Sequence, residues 1–511
     1  MSDGGVRWFA EGAAALTAAL LLTGCAVGPD FVNPAAPAIT RYSREPMPTQ
    51  TIAAGQSQRF ITGREMPQQW WRSYRSTALN ALVERSLANN PSLQSAMAAL
   101  RAARESAAAQ EGKFFPLIQA NFNPTRQQTS AALSPIPASG ANIYNLVTAQ
   151  LEVAYTFDIW GLNRRTVEQL EALADVQRFQ VEATYLALTS NIVVAAITEA
   201  SLRAQIDATD RLIAANTQMV DILHRQLNAG YANRSEVAAQ EAALAQARAT
   251  LPPLRKALAQ QRDLLAALSG AYAGDGLPET FHIADLHLPA ELPLSLPSQL
   301  IEQRPDVRAA EEQLHAASAQ IGIATANVLP SFTINANAGF ASTALSHLLA
   351  PQNLFWELGA NATQTVFDGG TLLHQLQGAK ETYQAAAWTY RGTVIDAVQN
   401  VADSLRALQN DADALRSARA FERAARTSFD LARQQTQSGN ANVLLLLNAQ
   451  QTYLQAIIQV VQAQTARLSD TAALFQSLGG GWWNRTEPPA EKTLDVGSGR
   501  TETLPVAPQS R

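Results

Sequence analysis

Cys25 is the one cysteine among the chain's 511 residues, so its thiol has no internal disulfide partner. Its surroundings point to another chemistry. Residues 12–22 form a short apolar core, and Leu22-Thr23-Gly24 places small residues directly before the cysteine. That order reads as a secretory signal ending in a lipobox, with cleavage before Cys25 and acylation of its sulfur. Asp3 and Glu11 dilute the usual basic start of such a signal and leave Arg7 nearly alone. Ala26, rather than an aspartate, follows the cysteine. By the sorting habit of bacterial lipoproteins, this directs the anchor to the outer membrane.

The other reactive side chains make no catalytic constellation. His224, His282, His287, His315, His347 and His374 show no metal spacing such as His-Glu-x-x-His. The sequence has neither a phosphate loop nor a Gly-x-Ser-x-Gly nucleophile elbow. The expectation is therefore a protein that is not an enzyme and carries no metal or cofactor. Two carboxylates have matched positions: Asp221 lies nine residues before Gly230, and Asp430 nine before Gly439. Carboxylates brought together hold cations and repel one another. Charged residues are sparse at 16%, and the net charge of −5 gives no electrostatic reason to expect nucleic acid.

The elements that must position these groups come as a repeat. Asn90-Pro91-Ser92-Leu93 opens an Ala-rich helical run ending at Phe115-Pro116, and Arg304-Pro305-Asp306-Val307 opens another ending at Leu329-Pro330, at one unbroken offset. Leu93, Leu100, Ala107 and Phe114 step by seven, as do Val307, Leu314, Ile321 and Val328. Repetition on this scale fixes the architecture before any motif does. After each run the period changes from helical to two. Val147, Ala149, Leu151, Val153, Tyr155 and Phe157 alternate with Thr148, Gln150, Glu152, Ala154 and Thr156. Phe332, Ile334, Ala336, Ala338 and Phe340 alternate with Ser331, Thr333, Asn335, Asn337 and Gly339. Weaker strands are expected over residues 117–127 and from Leu358 to Asp368, the latter with Gln364 on its apolar side. Strands of this length and alternation are what a membrane-spanning barrel uses. No apolar run outside the N-terminus is expected to span as a helix, so if the protein crosses a membrane it must do so as strands.

From Leu162 to Asn228 there is neither proline nor glycine. At about 1.5 Å per residue such a run makes a helix of about 100 Å. Thr371 to Gln437 has the same length, interrupted by Gly378 and Gly392. The return helices keep a heptad step through Val237, Leu244, Leu251, Leu258 and Leu265, and through Leu447, Leu454, Val461, Leu468 and Phe475. Strict heptads wind helices around each other as coiled coil. Pro252-Pro253 is expected to bend or break the first return helix. Four strands cannot close a barrel, and an open edge cannot face lipid. Several chains must therefore contribute, two giving about 8 strands and three about 12, both even numbers of the kind such barrels have.

The chain resembles the outer membrane factors, the TolC-type channel family, and within it the lipoprotein branch of efflux channels (NodT-like). The resemblance rests on Leu22-Thr23-Gly24-Cys25-Ala26-Val27-Gly28-Pro29-Asp30, on Gln303-Arg304-Pro305-Asp306-Val307-Arg308-Ala309-Ala310-Glu311, on Gly479-Gly480-Gly481-Trp482-Trp483, and on the two glycine-containing breaks. It implies a mainly α fold with transmembrane β: a homotrimer whose 12-stranded barrel, four strands per chain, continues as a helical coiled-coil tunnel into the periplasm. It implies a periplasmic adaptor (membrane fusion) protein and an inner-membrane pump of the resistance-nodulation-division or a related type. The channel would passively conduct small molecules such as drugs.

The expected layout is a signal peptide over 1–24 and a lipid-anchored extended tail over 25–75. A first repeat over 76–270 holds a β-hairpin (117–158) and a helical hairpin (162–268). After an irregular linker over 271–298, a second repeat over 299–480 holds the matching hairpins (331–368 and 371–478), and a polar tail fills 481–511. The helical tips Gly230, Tyr231, Ala232 and Asn233, with Gly439, Asn440, Ala441 and Asn442, become the adaptor's landing site. Asp221 and Asp430 become acidic rings closing the periplasmic end, latched by Arg225 or Arg433, with Val220 and Phe429 as its apolar constriction; His224 stands close by. Two other readings remain at this stage, a duct for protein export and a structural periplasmic lipoprotein without a pore.

Overall fold

The computed structural model describes residues 26–35, 38–39, 41–45, 48–128, 143–438, 440 and 443–485. In chain order the elements are β1 (Gln50–Ala53), β2 (Gln56–Thr62), α1 (Thr77–Asn89), α2 (Pro91–Glu111), β3 (Leu117–Gln128), β4 (Ile143–Phe157), α3 (Leu162–Asn228) and α4 (Arg234–Leu268). There follow β5 (Glu291–Leu294), α5 (Pro297–Gln303), α6 (Pro305–Ala326), β6 (Ser331–Ser342), β7 (Leu354–Thr363), α7 (Thr371–Gln437) and α8 (Val443–Ser477). Helices α3 and α7 are both 67 residues long, and α4 and α8 both 35. The repeat extends to burial: Leu93 and Val307 are fully buried, whereas Phe114 and Val328 at the far ends of their runs are exposed.

Two compact units cut across the repeat. One gathers 100–177 and 310–391 with the N-terminal segment up to Pro34. It holds an antiparallel sheet of order β3-β4-β6-β7. The hairpins of the two repeats join at the β4–β6 ladder, which runs from Val147↔Ser342 to Phe157↔Phe332. This register stacks the apolar sets. Ala149 faces Phe340, Leu151 faces Ala338, Tyr155 faces Ile334, and Trp356 and Leu358 of β7 extend the same face. On the opposite face Gln150, Glu152 and Thr156 meet Gly339, Asn337 and Thr333. A one-residue slip would exchange the faces, so the alternation fixes the register. Among the described residues β3 and β7 pair on one side only. Their apolar side chains stand free, with Ile118, Phe122, Trp356 and Leu358 all exposed.

The other unit gathers 35–99, 178–309 and 392–511. Trp70, Trp71 and Tyr74 are completely buried there, and Trp70 stacks on Phe475 with ring centroids 5.3 Å apart. A small sheet of order β1-β2-β5 pairs Phe60 with Leu292 in parallel.

That small sheet departs from the sequence expectation. Residues 25–75 were expected to be an extended tail and 271–298 an irregular link, yet each supplies strand. Four to seven residues are too few for a period to stand out, and β2 and β5 pair across more than 200 positions. The fourth long strand runs Leu354–Thr363, not Leu358–Asp368, so Gln364 lies beyond it. Asp368 instead accepts hydrogen bonds from the Gly370 and Leu372 amides and caps α7. Helix α4 is continuous through Pro252 and Pro253. Both prolines are on an exposed face, where the carbonyls of Arg248 and Ala249 that lose their donors are open to solvent. A stretch within α3 is long and apolar enough to cross a membrane. However, 67% of that stretch is buried within the protein, as in a core helix. Finally, the 481–511 tail begins with packed structure: Trp482 Nε1 donates to the Gln303 carbonyl at 2.8 Å, and the Trp482 ring meets Phe179 edge-on.

Candidate functional site

The tip between α3 and α4 follows from local chemistry. Gly230 takes φ +79°, which ends α3 without a Cβ penalty, and the Tyr231 amide donates back to the Gln226 carbonyl at 2.8 Å. Asn233 then caps α4: its Oδ1 accepts from the Glu236 amide at 2.9 Å, and Glu236 accepts from the Asn233 amide at 3.1 Å. Beneath the turn, Leu223 and Val237 are buried with Met219, Leu227, Ala232 and Leu447 around them. The turn is thus rigid, and it presents Tyr231 to solvent with 86% of its surface exposed. The second tip repeats the pattern, since the Asn440 amide donates to the Gln435 carbonyl at 2.9 Å. Gly439, Ala441 and Asn442 lie outside the described residues.

Of the candidate gate residues, Asp221, Arg225, Asp430 and Arg433 are all exposed. The ion pair recorded for Asp430 is with Arg426 of its own helix, at 3.9 Å. Among the described residues no ion pair joins either aspartate to Arg225 or Arg433. His224 meets Glu241 of α4 at 3.0 Å. Phe429 stacks on Tyr453 of α8 at 5.7 Å, beside buried Ala432, Leu446 and Ala449. Val220 borders a shallow hollow with Leu244 and Arg248. The two apolar candidates therefore also serve packing within the chain.

Cys25 lies outside the described residues, but the segment after it is held firmly. The Val27 amide donates to the Trp160 carbonyl at 3.0 Å, and Arg165 donates to the Val27 carbonyl at 3.1 Å and to Asp30 at 2.8 Å. Gly28 has φ +99°, and a Cβ there would come within 2.4 Å of the Gly322 Cα. Phe31 stacks on His315 at 4.4 Å.

A buried ionic cluster was not foreseen from the sequence. Arg467 is completely buried next to Leu468 in the heptad of α8. Its Nε donates to Gln58 Oε1 at 3.0 Å, and its terminal nitrogens reach the carbonyls of Ala53, Gln56 and Thr51 at 3.4–3.5 Å. Burial, then a hydrogen bond that the protonated Asp411 donates to Asp470 and the charge of Asp470, push the Asp411 carboxyl up to about 7, against the pull of Arg467. Tyr74, whose hydroxyl donates to the Leu468 carbonyl, is also raised, by burial and by Asp470. The usable signal was a lone arginine on an apolar stripe. An acid whose pKa is higher folded than unfolded costs stability as pH rises between the two values. Raising pH from 5 to 8 should therefore destabilise the protein by about 1–2 kcal/mol after allowance for partial solvation. Asp411→Asn should flatten that slope in thermal melts taken across the range, and an equal slope in the variant would acquit Asp411.

Among the described residues the geometry defines a class of protein: a sheet with one apolar face and two unpaired edges, in a chain with two helices of 67 residues. The family model described as outer membrane efflux protein matches residues 82–271 and 296–480. The chain belongs to this family. It is 28% identical over 472 residues to the toluene efflux pump outer membrane protein TtgC of Pseudomonas putida, covering 92% of this chain and 95% of that one. It is 28% identical over 495 residues to the pyoverdine export outer membrane protein OpmQ of Pseudomonas aeruginosa, covering 93% and 98%. Among solved structures, the outer-membrane channel OprN superposes with a TM-score of 0.80 at 25% identity, covering 90% of this chain and all of that one. The protein is thus of a family of channel components of the outer membrane.

Proposed function

We propose that the protein is the outer-membrane exit duct of a tripartite efflux system, conducting small molecules passively and without catalysis. The observation that carries this is the four-stranded sheet with an apolar face and unpaired edges. Backbone groups at an open edge are too costly to leave in lipid, so the sheet requires identical neighbours. Three copies give a barrel of about 12 strands, within the observed range for such barrels. Helices α3, α4, α7 and α8 continue it as the wall of a periplasmic tunnel. A periplasmic adaptor docks on the tips around Tyr231 and Asn440, and an inner-membrane pump of the resistance-nodulation-division or a related type supplies cargo. An acylated Cys25, followed by the segment clamped by Arg165, anchors each copy in the outer membrane. Relatives named for toluene efflux and pyoverdine export support small-molecule cargo over protein export.

The test is the mass of the detergent-solubilised protein with its single-channel current in a planar bilayer. The expected result is an acylated trimer with a small, rarely open current; a monomer soluble without detergent and carrying no current would overturn the reading. Asp221 and Asp430 are the proposed acidic rings of the closed periplasmic end. Asp221→Ala with Asp430→Ala should raise conductance severalfold. Unchanged conductance and ion selectivity would remove the gate.

A further inference from the structure

A pocket of about 450 Å³ lies where strands β4, β6 and β7 give way to helices α2, α3 and α6. Thr156, Ser331 and Thr363 place it largely on the polar face of the sheet, the face a barrel turns towards its lumen. Its volume is in the range of sites for drug-sized molecules. Four observations give it a chemistry. Lys113 lines the pocket and has no ion-pair partner among the described residues. The nearby Asp158 carboxylate is already committed: it accepts from the Asn163 and Arg164 amides at 2.7 and 3.0 Å and from Arg164 Nε at 3.2 Å. The Asn163 oxygen accepts from Gln110 at 2.6 Å, while its Nδ2 is buried without a hydrogen-bond partner in the protein. Meanwhile Trp160 donates its indole N–H to the Pro330 carbonyl at 2.7 Å, which fixes the ring as a flat wall.

An ammonium and an unmatched amide N–H ask for an acceptor carrying negative charge, and a fixed indole asks for a flat apolar body. We infer that this pocket is a station for aromatic anions, binding an aryl carboxylate or sulfonate through Lys113 and Asn163 as cargo passes from tunnel to barrel. The inference rests on the duct reading for its place in the lumen, but the pocket lies within one chain. Binding therefore tests it independently of conduction.

The experiment is equilibrium dialysis of 2-naphthoate against the full-length protein in a neutral detergent, with far-UV circular dichroism to check each variant and single-channel current to check the duct separately. Binding above the detergent blank is expected, weakened at least tenfold in Lys113→Gln and in Asn163→Leu and kept in Lys113→Arg. The uncharged 2-acetonaphthone should bind at least tenfold more weakly than naphthoate. Equal affinity in the wild type and either weakened variant, or no naphthoate held above the blank, overturns the station even where channels form. Naphthoate binding with no current would leave the station standing and sink the duct.

Discussion

Arg467→Ala will be among the most destabilising single substitutions in this protein, by about 3–5 kcal/mol, the range for removing one member of a buried ionic group. The guanidinium is completely buried and serves several acceptors at once: Gln58, the carbonyls of Ala53 and Gln56, and Thr51. Alanine leaves those acceptors without its donors and removes the positive charge that acts on Asp411. It also loosens the β1–β2 hairpin from α8, since Arg467 reaches both strands. Arg467→Lys will rescue little, because one ammonium cannot match a planar fork of five donors. Denaturant unfolding of the solubilised protein should show the loss as a lower midpoint. A midpoint within experimental error of the wild type would mean that the cluster carries no net stabilisation.

Gly339→Val is the second. Gly339 lies opposite Gln150 in the β4–β6 ladder. A Cβ there would be 2.3 Å from the Ala149 carbonyl oxygen and 2.6 Å from the Gln150 Cα, both backbone atoms that can give way only by parting the strands. A branched side chain therefore breaks the one ladder that joins the repeats, and the cost is at the upper end for point substitutions, on the order of 4 kcal/mol or more. Gly359→Val in β7 is the control, because a Cβ there meets nothing within 4 Å. Folded protein in the outer-membrane fraction should fall sharply for the first and hold for the second. Equal yields would show that the ladder tolerates the bulk.

These two sites mark the limits of what the sequence discloses. Long periodic segments were legible: the 67-residue helices, the heptads of α4 and α8, and the alternation in β4 and β6 each repeat a signal many times over. The tips were legible because a glycine with positive φ and an Asn-x-x-Glu cap leave local marks. Contacts between distant short segments left none. Nothing in Gln56–Thr62 announces Glu291–Leu294, and nothing near Arg467 announces Gln58. The same holds for Lys113 and Asn163, one just past α2 and the other at the start of α3, which share a pocket only once the strands between them have folded. Phe429 shows the converse: its type and level suit a constriction, yet its stacking on Tyr453 is a packing role that spacing alone does not reveal.

The ladder between β4 and β6 also constrains how the protein is made. Its partners are 175 positions or more apart, so the sheet of the first repeat has no neighbour until β6 of the second has been made. Pairing across such a distance is slow, because loop closure comes before any contact rewards it. Meanwhile the apolar faces of β3 and β4 are bare in an aqueous compartment, the state in which strand edges seek wrong partners. An escort that keeps both hairpins apart from their like until all four strands can be laid down together would remove that hazard. Duplication gave this molecule its symmetry, and the crossing of its halves makes neither half able to mature alone.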